Sequence, residues 1–87
     1  MDWMIEFDKK AKKEFASLSK PIQKQIDKFL LKLIKSENPR MFGEALKGNL
    51  QPFWRYRVGD YRIICQIEDD KITILILAVG HRKEIYR

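Results

Sequence analysis

Gly59 and Asp60 separate two alternating runs, W-R-Y-R-V at 54–58 and Y-R-I-I-C-Q-I at 61–67, and nothing else constrains the fold of this chain as strongly. A two-residue turn at Gly59-Asp60 pairs Val58 with Tyr61, and therefore Arg57 with Arg62. Side chains alternate along a strand, so Arg55 shares the face of Arg57 and Arg62. Trp54, Tyr56, Val58, Tyr61, Ile63 and Cys65 share the other, which predicts a core-facing side. Like charges directly opposite one another destabilise a strand pair. A hairpin that tolerates them points to an anion, and a phosphodiester is the leading candidate. Arginine on a solvated hairpin face can also serve solubility alone. Here the sequel Gly80-His81-Arg82, followed by Tyr86-Arg87, favours a functional role.

The remaining patterns supply the other elements. Trp3, Ile5 and Phe7 alternate with their neighbours and read as a first strand over 2–7, with Asp8 as a helix cap. Ala11, Phe15 and Leu18 recur at helical spacing, and Ser19 opens a second helix with Pro21 in its first turn. Ile22, Ile26, Phe29, Leu30, Leu33 and Ile34 give that helix a wide apolar stripe. The two segments predict an antiparallel helical hairpin. From Ser36 to Leu50 the pattern weakens into a connection marked by Asn38-Pro39, Gly43, Gly48 and Asn49.

Strands follow at 52–58, 61–68 and 71–79, with Asp69-Asp70 expected as a second tight turn. That turn pairs Ile67 with Ile72 and Tyr61 with Ala78, and brings the chain out of the sheet beside Asp60. The third strand, I-T-I-L-I-L-A-V, is apolar on both faces and predicts an interior position covered on each side. The predicted class is α+β: an N-terminal strand, a helical hairpin, then an antiparallel three-strand meander in one sheet, with the helices on one face and the other open for a site.

Eighty-seven residues suit a single domain, 1–87, with a modest core. The lone cysteine, Cys65, cannot form an internal disulfide and reads as a small buried hydrophobe in a reducing compartment. The amino terminus does not read as a secretion signal, and the apolar run from Ile72 to Val79 is too short to span a bilayer. A soluble, cytoplasmic protein that does not engage membrane is expected. The net charge of +6 and pI near 9.6 favour a polyanionic partner, although lysine-rich outer helix faces contribute to that charge.

The segments L-K-G-N-L-x-x-F-W-R-Y-R-V-G-D-Y-R-I-I at 46–64 and V-G-H-R-K-E-I-Y at 79–86, preceded by the strand and helical hairpin, resemble the RelE/ParE superfamily of small toxins from type II toxin–antitoxin modules. The likeness covers nearly the whole chain. It implies a RelE-like, microbial-ribonuclease-type fold and one of two activities: cleavage of messenger RNA in the ribosomal A site by RelE-like members, or inhibition of DNA gyrase without nuclease activity by ParE-like members. It also implies a RelB-like antitoxin as partner, with the ribosome and mRNA as targets and DNA engaged only indirectly through the antitoxin.

By the same resemblance, Arg55, Arg57, Arg62, Arg82 and Tyr86 occupy the positions of the nuclease site. Two departures are arginine at 55 and 57, where some relatives carry lysine, and His81. Arginine cannot surrender a proton as lysine can. Internal cleavage needs a proton removed from the 2′-hydroxyl, neutralisation of charge on the phosphorus oxygens, and a proton for the departing 5′-oxygen. No metal or other cofactor is expected, because one histidine and no ligand-spaced Cys/His/carboxylate cluster argue against a zinc site.

Arg62 and Arg82 are assigned to the phosphorus oxygens. Arg55 and Arg57 hold the backbone, with Lys47 as a further contact. Tyr86 is the family-guided base, since surrounding positive charge favours a phenolate. His81 is its rival, because imidazole exchanges protons near neutrality; its structural alternative is to cap or orient the terminal segment. A non-catalytic RNA-binding module is the third functional class.

Overall fold

The computed structural model describes residues 2–46 and 53–85. Strand β1 (Met4–Phe7) leads into Asp8, whose carboxylate accepts the Ala11 N–H at 2.8 Å and so caps helix α1 (Lys9–Ala16). Gln23, on helix α2 (Lys20–Lys35), donates its Nε2 to the carbonyls of Phe15, Ala16 and Leu18 at 3.0, 3.3 and 3.2 Å. A helix end leaves its last carbonyls without partners. One amide side chain thus ties the corner of the helical hairpin. Ile26, Leu30 and Leu33 form the buried stripe of α2, and a 3-10 turn at Pro39–Phe42 ends the helical part of the chain. No helix among the described residues is long and apolar enough to cross a membrane.

Among the described residues the sheet has five strands, in the order β1-β5-β4-β3-β2. Strands β3 (Phe53–Val58) and β4 (Tyr61–Glu68) pair antiparallel in the expected register, with Val58 opposite Tyr61 and Arg57 opposite Arg62. Gly59 takes φ 59° at the first position of the turn, a conformation that disfavours a Cβ. Strand β2 (Glu44–Ala45) extends the sheet beyond the predicted meander by pairing with Trp54 and Arg55 of β3. Strand β1 begins two residues later than expected and runs parallel to β5 (Thr73–His81), with Ile5 opposite Ile74. The described part of the first meander strand starts at Phe53, one residue after the predicted start.

The β4–β5 register differs from the expectation for two separable reasons. In place of a two-residue turn, Asp69–Lys71 form a 3-10 turn and Ile72 adopts left-handed φ 49°, so Glu68 pairs with Thr73 and Ile67 with Ile74. A bulge between Ile64 and Cys65 then skips Leu77, which places Tyr61 opposite His81 rather than Ala78. The chain still leaves the sheet beside Asp60: the Arg82 N–H donates to the Asp60 carbonyl at 2.8 Å. A short helix, α3 (Arg82–Ile85), follows at once, where no element was expected.

Both helices cover one sheet face. Ala11, Ile26, Leu30 and Leu33 meet Tyr56, Ile63, Cys65, Ile67, Ile74, Ile76 and Val79 in a single buried cluster. Strand β5 is interior as predicted, but Leu75, across from Gln66, remains half-buried, so its cover is one-sided. Tyr61 stays outside the buried cluster. Burial pushes the Cys65 thiol up to about 12, which leaves it an unreactive hydrophobe.

Tyr56 has no exposed surface; its ring meets Phe29 edge-on at 5.3 Å and its hydroxyl donates to the Pro39 carbonyl at 2.8 Å. Burial raises its phenol far above the usual range, so it remains a neutral donor. Tyr56→Phe keeps the ring contact and removes only the donor to a buried carbonyl. Urea unfolding should record a loss of about 1–3 kcal/mol with an unchanged m-value; an unchanged midpoint would refute a stabilising role for that bond.

Candidate functional site

Alternation within the β3–β4 hairpin assembles the arginines. Because Tyr56 and Ile63 are opposite one another and fully buried beneath the helices, Arg55, Arg57 and Arg62 project from the other face. Arg57 and Arg62 are direct cross-strand neighbours. Their repulsion is offset in two ways. Glu44 of β2 sets one carboxylate oxygen 2.7 Å from Arg55 and 3.1 Å from Arg57, clamping the β3 pair. Arg62 turns back over its own hairpin, where its Nη1 donates to the Gly59 and Tyr61 carbonyls, both at 3.0 Å.

The clamp depends on how closely β2 approaches β3. Gly43 precedes Glu44, and a Cβ at Gly43 would collide with the Arg55 carbonyl oxygen and stand 2.8 Å from the Tyr56 ring. Only glycine permits that approach. The two arginines and the carboxylate, with Met41, Phe42 and Gly43, line a shallow cavity of about 310 Å³. The Arg57 side chain is 60% exposed and that of Arg55 only 19%, so Arg57 is the one a ligand reaches first.

Arg82 opens α3 as an exposed residue at the same end of the sheet, two residues beyond Gly80, the cross-strand partner of Arg62. His81 lies elsewhere. Paired with Tyr61, it belongs to the helix-covered face, where its ring meets Tyr61 edge-on at 5.5 Å and 83°. Its Nδ1 accepts the Lys83 N–H at 3.2 Å. The structure therefore brings Arg55, Arg57 and Arg62 together on one face, places Arg82 at the edge of that face, and directs His81 behind it. Tyr86 and Lys47 lie outside the described residues.

Glu44 was absent from the candidate residues read from sequence. Its strand has two residues, too few for alternation to register, and the neighbouring glycine signalled only a turn.

The family profile described as the ParE toxin of the parDE type II toxin–antitoxin system matches residues 5–86. This chain belongs to the ParE toxin family. Its place in the wider RelE/ParE superfamily is equally plain from its relatives. It is 29% identical over 89 residues to a protein of Escherichia coli strain K12 named mRNA interferase toxin RelE, with 99% of this chain and 92% of that protein covered. Toxin RelG of Mycobacterium tuberculosis is 30% identical over 87 residues, covering 100% of this chain and 99% of that protein. In the RelBE2 toxin–antitoxin complex of M. tuberculosis, the matching chain superposes with a TM-score of 0.84 at 26% identity, over 97% of this chain and 95% of that one. The α+β class and the packing of helices on one sheet face are thus those of RelE/ParE toxins.

Glu44→Gln would release Arg55 and Arg57 from their shared counter-ion while preserving the shape of the clamp. This RelE/ParE protein should then elute from an immobilised polyanion at higher salt than the parent, with stability lowered by no more than about 1 kcal/mol because the pair is half-exposed. Elution at the parental salt concentration would mean that the arginine face does not govern polyanion binding.

Proposed function

We propose that this protein is the toxin of a type II toxin–antitoxin module, and that it inhibits translation by cleaving messenger RNA in the ribosomal A site. The observation that carries the proposal is the arginine face: Arg57 opposite Arg62, Arg55 beside them, and Arg82 at the start of the next element. Full-length likeness to a protein named mRNA interferase toxin supports it. A RelB-like antitoxin is the proposed partner, in keeping with related toxins solved in RelBE complexes. It would engage DNA only indirectly, through that antitoxin. The proposed site of action is the cytoplasm.

In the proposed reaction, the 2′-oxygen attacks the adjacent phosphorus as its proton leaves, and the bond from phosphorus to the 5′-oxygen breaks. The departing 5′-oxygen takes up a proton from solvent, and the products are a 2′,3′-cyclic phosphate and a 5′-hydroxyl. The step requires no metal when cationic donors already surround the phosphate. Arg57 and Arg55 receive the backbone as phosphate displaces Glu44, aided by Lys47. Arg62 exchanges two neutral carbonyls for an anionic phosphorus oxygen, which adds charge–charge attraction and suits the planar fork of a guanidinium. Arg82 approaches the same group from α3. Tyr86 is assigned as the base.

The second reading, gyrase inhibition without nuclease activity, is favoured by the name of the matching family and by the fact that Glu44 already occupies two of the arginines. Primer extension on translated mRNA separates the readings. Codon-positioned breaks are expected, reduced on the order of 100-fold by Arg62→Ala or Arg82→Ala, the loss typical of a transition-state oxyanion donor. Absence of breaks from the parent protein, with inhibition of supercoiling by gyrase, would establish the alternative. Breaks undiminished in both variants would remove these arginines from the mechanism.

A further inference from the structure

Two hydrogen bonds hold the start of α3. The Arg82 N–H donates to the Asp60 carbonyl at 2.8 Å, and the Lys83 N–H donates to His81 Nδ1 at 3.2 Å. A helix of four residues cannot sustain itself, because nucleation fixes several residues for each bond gained. Its position therefore depends on anchors outside it. His81 serves as the N-terminal cap, a place where serine, aspartate or asparagine usually offers an oxygen. The edge-on contact with Tyr61 fixes the plane of the imidazole and hence the direction of its Nδ1 lone pair.

This geometry has a chemical consequence. A ring nitrogen that accepts an N–H carries no proton, so the neutral ring holds its hydrogen on Nε2. A proton arriving at Nδ1 would point at the Lys83 N–H, and the bond would be lost. The lone pair that a catalytic base would use is thus already engaged, on the sheet face opposite Arg57 and Arg62. We propose that His81 is a positioning residue: its unprotonated Nδ1 holds the first turn of α3, and with it Arg82, in place. The catalytic part of this inference rests on the nuclease reading; the structural part does not.

The imidazole is not sealed in the core. It borders a cavity of about 580 Å³ that Lys10 and Glu14 of α1, Tyr61 of β4 and Glu84 of α3 also line. Glu14 is already committed, accepting the Val79 N–H at 2.9 Å and facing Lys10 at 3.4 Å.

The test uses isotopically labelled full-length protein at one fixed pH near neutrality. In the parent, the Lys83 amide should exchange about fivefold more slowly, relative to its intrinsic rate, than in His81→Ala, in line with one cap. His81→Asn, which restores an acceptor, should keep the amide protected. In the mRNA cleavage assay at neutral pH, His81→Asn should stay within about threefold of the parent and His81→Ala should lose about tenfold, the ordering expected when a side chain acts through geometry. Equal protection of the Lys83 amide in the parent and in His81→Ala would overturn the cap. Equal loss of cleavage in both variants, with intact melting temperatures, would return His81 to proton transfer and sink the proposal. If the exchange data behave as expected and the parent cleaves no RNA, the cap stands and the nuclease reading fails.

Discussion

The pairing of β3 with β4 is the constraint on which the rest of the molecule depends. Because Tyr56 faces Ile63 and Trp54 faces Cys65, one side of the hairpin can be buried beneath α1 and α2 only if the other presents Arg55, Arg57 and Arg62. A slip of one residue would reverse both faces at once, bringing charge under the helices and aromatic rings to water. The positive φ of Gly59 makes the register unambiguous at its origin. Burial of the apolar side thus enforces the crowding of cations on the other. No attraction between those cations is required, and Glu44 and the turn carbonyls take up the charge that the fold has gathered.

Strand β5 carries that order to the far end of the site. It lies between β1 and β4, yet β1 stops at Phe7, opposite Ile76. Beyond that point α1 takes over as the neighbour of β5, and Glu14 receives the Val79 N–H in place of a strand carbonyl. A parallel pair needs a long connection between its strands, and here the helical hairpin is its first part and β2, β3 and β4 its second. The end of β5, and therefore the place where Arg82 begins α3, is consequently set by the helices as well as by the meander. Cover of the core and placement of the site are mechanically one problem in a chain this small.

How much of this was legible in the sequence follows from the length scale of each signal. The β3–β4 register was readable because a glycine turn and long alternation on both sides agree. The helical hairpin was readable from the apolar stripe of α2 and from Asp8 and Ser19 at its starts. The β4–β5 register was not: Asp69 and Asp70 look like a tight turn, and only tertiary placement puts the β-branched Ile72 at positive φ, while the extra residue at the bulge leaves no mark in a run that is uniformly apolar. β2 and α3 span barely one period of the patterns that could identify them. Glu44 belongs to unseen β2 and His81 to the stretch that the displaced register adds to β5, so the arginine face could be read from residues, its clamp could not, and its cap was legible only as an alternative role for His81.

The displaced register also gives the site its division of labour. Had Tyr61 faced Ala78, His81 would have stood beyond the last strand pair, free to approach either face. The turn and the bulge each add to the length of β5, and together they seat His81 opposite Tyr61 on the helix-covered side. The same two irregularities carry Arg82 just past the pairing, where its N–H meets Asp60. His81 thus lies on the face opposite Arg57 and Arg62, and Arg82 follows where β5 ends. A histidine next to a cationic site invites a role in proton transfer on composition alone; here strand geometry determines which of its atoms is available and toward what, and the available atom already holds the backbone of Lys83.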